Sequence, residues 1–156
     1  MARIYLSSSF RDLMVERAAV TAALRGAGHE VIAMEHYPPT SECPTDRCRA
    51  DAQGSDLYLG LFARRYGYMP SSGSVAITEI EYRSAVAARK PAAIFLLDDT
   101  VQWPAEWNDR MTGEGQGGKR IDELRHEFCA RHGVGFFSTT DELIAGACAA
   151  VAETRA

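Results

Sequence analysis

No apolar run in this sequence approaches the ~20 residues that a membrane-spanning helix needs. The first apolar segment, Ile4-Tyr5-Leu6, stops at Ser7-Ser8-Ser9, too soon for the core of a secretory signal and without a cleavage pattern. Neither a membrane span nor export is expected, and the chain reads as cytoplasmic. Cysteine is sparse. Cys43, Cys48, Cys129 and Cys148 are not densely spaced, so free thiols are expected rather than a disulfide framework. The histidines, His29, His36, His126 and His132, never fall in an HxxxH or HExxH spacing, and Cys43 and Cys48 have no second close pair, so no metal site is expected. Lys and Arg form no stripe, and with a net charge of −4 and a pI near 5.6 polymeric nucleic acid is not an expected partner. An ATPase motif and internal repeats are also absent.

What is present suits one compact domain. A chain of 156 residues, 46% hydrophobic and 24% charged, is ordinary for a globular protein, and at this size folding buries roughly 70% of the extended-chain surface. Arg3-Ile4-Tyr5-Leu6 reads as a buried strand. Ser9 with Asp12 forms a capping signal for a helix whose Phe10, Leu13, Val20 and Leu24 face the core until Gly26 and Gly28 stop it. A strand follows at His29–Met34, then a loop at His36–Ser41 whose two prolines forbid regular structure, then a short helix from Pro44 to about Gly54. Asp56–Phe62 is nearly continuous apolar sequence, as expected of a central parallel strand buried on both faces. After the polar and aromatic loop Ala63–Gly73, a helix carries Glu79 and runs to about Lys90. Its buried side is expected to include Ile77, Ile80 and Val86, with Glu81 on another, solvated face. Ala92–Leu97 is again an apolar strand. The long segment Asp98–Gly118 contains Trp103 and Trp107, expected to clamp it onto the core. A helix over Lys119–His132, a short strand at Val134–Phe137 and an Ala-rich helix from Thr140 complete the chain.

Strands alternating with helices, each strand apolar rather than alternating, imply a parallel sheet covered on both faces. The expectation is a flavodoxin-like three-layer α/β/α sandwich with a five-stranded parallel sheet in the order 2-1-3-4-5. Ligands bind such sheets beyond the C-terminal strand ends where strand order reverses. That place gathers Ser7, Ser8, Ser9 and Asp12 after the first strand, Arg64, Arg65, Tyr66 and Gly67 after the third, and Glu79 at the start of the next helix.

A carboxylate there suits chemistry at a sugar, because cleavage of an N-glycosidic bond passes through an oxocarbenium-like state that one carboxylate stabilises or traps as an ester. Glu79 is the expected catalytic group. Arg64 or Arg65 would hold a phosphate, Tyr66 or Tyr82 would stack on a base, and Ser7, Ser8, Ser9 and Asp12 would orient a ribose. Each residue also has a plain structural reading: Glu79 as a first-turn acid, Ser9 and Asp12 as a capping box, the arginines as surface ion pairs, the tyrosines as packing groups.

The blocks Ile4-Tyr5-Leu6-Ser7-Ser8-Ser9-Phe10-Arg11-Asp12-Leu13 with Glu16-Arg17, Ala33-Met34-Glu35, Ser55-Asp56-Leu57-Tyr58-Leu59-Gly60, Arg65-Tyr66-Gly67, Ile77-Thr78-Glu79-Ile80-Glu81-Tyr82 and Lys90-Pro91 resemble, in order, those of the domain of unknown function 4062. That module commonly stands at the N-terminus of NACHT or other STAND-type signalling ATPases, and the likeness runs from residue 3 to about 97. The family is in turn similar to TIR domains and to nucleoside 2-deoxyribosyltransferases, which use a glutamate at the start of a helix. Aligned on Glu79-Ile80-Glu81-Tyr82, the transferases' nucleophile falls on Glu79, their "AG" on Ser7-Ser8 and their following glycine on Glu81, while the TIR "W-C-x-x-E" signature is missing. The resemblance implies an effector domain, isolated from a longer sensor or standing alone, that cleaves NAD or a related nucleotide in antiphage or conflict signalling. NAD would be substrate rather than cofactor, and the domain would self-associate. It also permits a non-catalytic assembly module, and a nucleotide-binding domain is the further alternative.

Overall fold

The structure, a computed structural model, describes residues 1–36, 44–70, 75–112 and 117–155. The Pro38-Pro39 loop, Cys43, Ser74 and most of the glycine-rich stretch before Lys119 lie outside them. The elements are β1 (Arg3–Ser8), α1 (Met14–Gly26), β2 (Glu30–Ile32), α2 (Pro44–Gly54), β3 (Leu57–Phe62), α3 (Ile77–Ala87), β4 (Ala92–Leu97), α4 (Asp109–Thr112), α5 (Gly117–Arg131), β5 (Gly135–Phe137) and α6 (Thr140–Arg155), with short 3-10 turns at Met34–His36 and Ala105–Trp107. All strand pairs are parallel, in the order β2-β1-β3-β4-β5. This is the flavodoxin-like α/β sandwich that the alternation of elements implies, and it carries the TIR-like strand order that the resemblance implies.

The period of two along each strand divides the core into two layers. Ile4 and Leu6 of β1, with Leu57, Leu59 and Leu61 of β3, pack beneath Val20 and Leu24 of α1 and Leu143, Ala147 and Val151 of α6. Tyr5, Tyr58, Phe62, Ile94 and Leu96 point the other way, beneath Tyr82 and Ala85 of α3 and Ile121, Leu124 and Phe128 of α5. Gly60 lies opposite Ser7 in the sheet. A Cβ there would come within 2.7 Å of the Phe62 ring and 2.9 Å of the Tyr58 ring, so this position has no room for a side chain. Arg125, buried on α5, donates to the carbonyls of Ala63 at 3.2 Å and Leu97 at 2.9 Å and to Asp99 Oδ1 at 3.2 Å, closing the C-terminal ends of β3 and β4.

Several local expectations change. The first helix begins at Met14, its N-cap position is Leu13, and no side-chain cap is made, so Ser9 and Asp12 form no capping box. Residues 9–13 form a turn across the end of β1, which leaves Phe10 48% exposed instead of facing the core. β2 is shorter than His29–Met34 because the chain tightens into the 3-10 turn at Met34. On α3 the buried face is Ile77, Thr78, Glu81, Tyr82 and Ala85, while Ile80 and Val86 are half-buried. The cause is the i, i+4 stripe 77-81-85 seated on the sheet. Glu81 is therefore buried rather than solvated. Trp103 packs on the core, and its ring lies 5.9 Å from that of Trp107. No helix among the described residues is long and apolar enough to cross a membrane.

Candidate active site

A cavity of about 360 Å³ opens at the C-terminal end of β1, walled by the turn after that strand, by α1, by the 3-10 turn after β2 and by the start of α3. Leu6, Phe10, Met34 and Ile77 supply its apolar surface, Tyr68 stands at the rim, and Ser8, Ser9, Arg17, Glu35 and Glu81 supply its polar groups. Its size and its mixture of an apolar wall with a few convergent polar groups match small-molecule sites, which run from about 300 to 1,000 Å³.

Glu81 is the most tightly held of these groups. Tyr5 and Ser7, two apart on β1 and so on one side of the sheet, donate their hydroxyls to its two oxygens: Tyr5 Oη to Oε2, and Ser7 Oγ to Oε1 at 2.7 Å. Burial pushes the Glu81 carboxyl up to about 7, against the pull of Tyr5, Ser7, Arg17 and Cys48, which favour its charged form. Burial together with the Glu81 charge drives the Tyr5 and Tyr58 hydroxyls far above the ordinary phenol range, so both stay protonated. Tyr5 is then always a donor.

Arg17 organises a second group of the cavity's polar residues. Its Nη1 donates to Ser8 Oγ at 2.7 Å and to the Ser8 carbonyl at 3.2 Å, its Nε donates to Glu35 Oε1 at 3.1 Å, and its Nη2 donates to Glu35 Oε2. Ser8 Oγ in turn donates to the Ser9 carbonyl at 2.7 Å. A bidentate guanidinium–carboxylate pair of this kind is both strong and directional.

Of the residues singled out from the sequence, Ser8 and Ser9 line the cavity and Ser7 stands behind it on Glu81. Asp12 is buried beside them. Burial raises its carboxyl pKa, and Ser9 and the Arg65 guanidinium, 3.8 Å away, oppose the rise. Neither Asp12 nor Arg65 belongs to the cavity wall. Gly67, with φ at 101°, itself stands against Ser9 and Thr78. Glu79 faces away, into a separate polar cleft with Arg83, Lys119, Arg120 and Glu127. It accepts from Tyr66 Oη at 2.7 Å and pairs with Arg83 at 3.4 Å. Tyr66 is buried, with Arg120 stacked 5.5 Å from its ring centre. Tyr82 is buried against Phe128 and shares a hydrogen bond of 2.7 Å with His132 Nε2. Arg64 pairs with Asp99 at 2.9 Å, outside this cavity.

The sequence sets Glu81 beside the expected site, where the related transferases have glycine, but gives it no catalytic role, and it marks none for Arg17, Glu35 or Tyr5. A signal for Glu81 was available: Ile77 and Ala85 stand four residues to either side and place it on a core-facing helical stripe. Tyr5 and Ser7 could have been paired by strand alternation. Nothing local marks Arg17 and Glu35, whose meeting depends on the packing of α1 against the turn after β2.

Comparison with curated proteins gives no match. Among solved structures, the chain is similar to the Clostridium botulinum CMP N-glycosidase BcmB, at 13% identity with a TM-score of 0.53 over 96% of this chain and 98% of that one. It is also similar to the RPS4 and RRS1 TIR domain heterodimer, at 10% identity and a TM-score of 0.54 over 97% of this chain and 96% of that one. The TIR domains of the activated Roq1 resistosome match at 12% identity and a TM-score of 0.53 over 95% of this chain and 84% of that one. At such identities the likeness is one of fold. The sequence profile described as Domain of unknown function (DUF4062) matches residues 3–151, and the chain belongs to that family.

Proposed function

We propose that this domain cleaves the N-glycosidic bond of NAD or a related nucleotide, with Glu81 as the catalytic carboxylate. The observation that carries the reading is a buried carboxyl held at both oxygens and lining a nucleoside-sized cavity at the C-terminal end of β1. In the reaction the C1′–N bond breaks and its electron pair leaves with the base. Glu81 stabilises the positive charge that develops at C1′ or bonds to it as an ester; water then attacks C1′, gives up a proton and restores the carboxylate. An ionised carboxylate is required, so activity rises as pH passes through about 7, where Glu81 titrates. The fold shared with a protein named as a CMP N-glycosidase supports the same chemistry.

The sequence resemblance supports a role for this activity in antiphage or conflict signalling, with self-association as the trigger. The exposed apolar side chains of Phe10, in the turn before α1, and of Met14 and Val15 at its start favour an assembly role alongside catalysis. The test is incubation of concentrated protein with NAD and with nucleoside monophosphates, following release of free base. Release by wild type, loss in Glu81→Gln and retention in Glu79→Gln support the assignment. No release of base from any substrate overturns the activity, and loss in Glu79→Gln with retention in Glu81→Gln returns the role to Glu79.

A further inference from the structure

Among the described residues the cavity wall holds one guanidinium, and it is built in rather than draped across the surface. Arg17 is 5% exposed, and all its nitrogens are engaged: Nε and Nη2 on Glu35, Nη1 on the hydroxyl and the carbonyl of Ser8. Its position is over-determined, so its charge cannot swing out into water. The other groups facing Glu81 carry no positive charge: Tyr5 and Ser7 from β1, Tyr58 from β3 and Cys48 from α2. Glu35, paired with Arg17, is the negative group nearest to that guanidinium among the cavity-lining residues.

We propose that Arg17 is a positioning residue for Glu81, with Glu35 as the counter-charge that sets how much of the Arg17 field reaches it. This rests on the reading of Glu81 as the catalytic carboxylate and adds the group that governs its charge. Arg17 and Glu81 line the same cavity, and a guanidinium held fixed there by Glu35 and Ser8 favours the Glu81 anion. Glu35 opposes that effect. Removing the two partners must therefore move Glu81 in opposite directions. A purely structural role in holding the Ser8 turn has no such sign: losing either partner would loosen the same turn.

The experiment is a direct titration of Glu81 by carboxyl NMR in wild type, Arg17→Met, Arg17→Lys and Glu35→Gln, with Glu81→Gln identifying the resonance. The expected midpoint moves up by about one pH unit in Arg17→Met, returns toward wild type in Arg17→Lys, and moves down in Glu35→Gln. The midpoint of the kcat profile should follow the same order. Shifts of one sign in both Arg17→Met and Glu35→Gln, or no shift in either, overturn the proposal. If Arg17→Met does not fold, Glu35→Gln decides alone, a downward shift supporting the proposal and any other result overturning it. Because the NMR midpoint needs no turnover, a protein that releases no base can still show the opposed shifts, which separates failure of this inference from failure of the proposed activity.

Discussion

Ser7 Oγ donates to Glu81 Oε1 at 2.7 Å across 74 residues of sequence, joining the C-terminal end of β1 to the first turns of α3. Tyr5 closes the other oxygen from the same strand face. The pair fixes the carboxylate's position and direction, which a site needs from its supporting residues.

Replacing Tyr5 by Phe removes a hydroxyl from this pair and leaves the ring packing in place. A hydrogen bond to a charged group is worth about 1.5–3 kcal/mol. The loss of stability should approach that range above pH 8, where Glu81 is ionised, and shrink below pH 5, where it is protonated. Chemical denaturation of both proteins at the two pH values measures it, and an equal loss at both would contradict the pairing.

Stability should depend on pH through Glu81 itself. Its carboxyl stands at about 7 in the folded protein against an ordinary value of 4.5. The folded state therefore binds the proton more tightly than the unfolded one. Its contribution is full below about 4.5, falls as pH rises and is lost above about 7, a swing of about 3 kcal/mol across that window. Glu81→Gln cannot titrate and should lose this slope, gaining melting temperature over wild type at pH 8 even as base release is abolished. Melting curves from pH 4 to 9 test this.

Gly60→Ala should destabilise without touching the cavity wall. The added methyl would fall 2.7 Å from Phe62 and 2.9 Å from Tyr58, and neither ring can retreat from a central strand. Overpacking of this kind costs about 1–3 kcal/mol. A lower denaturation midpoint with an unchanged m-value is the expected result.

Arg125→Met should cost about 2–4 kcal/mol, because the Ala63 and Leu97 carbonyls lose their buried donor together. Arg125→Lys restores the charge but not the fork that spans two strand ends, so it should recover only part of the loss.

The sheet order was legible in the sequence because apolar strands that alternate with helices leave few ways to bury both faces. Asp56–Phe62 shows this well: a run of apolar side chains sits only in a central strand, and β3 occupies that place between β1 and β4. The choice between Glu79 and Glu81 was not legible in the same way. Two steps along a helix turn a side chain by about 200°. Ile77 and Ile80 offer rival faces, so only contact with the sheet decides which carboxyl goes inward. Phe10 was misplaced for a related reason: helical spacing counted from Ser9 assumes a helix that starts only at Met14.

What the sequence alone determined is the doubly wound sheet, which follows from period and strand chemistry, and the family, which follows from the resemblance of its sequence blocks. What the tertiary structure decided is which side chains meet at the cavity. Glu81 between Tyr5 and Ser7, and Arg17 between Ser8 and Glu35, are contacts across layers. They are set by how α1 and α3 rotate onto the sheet to bury their apolar stripes, and a linear pattern does not record that rotation.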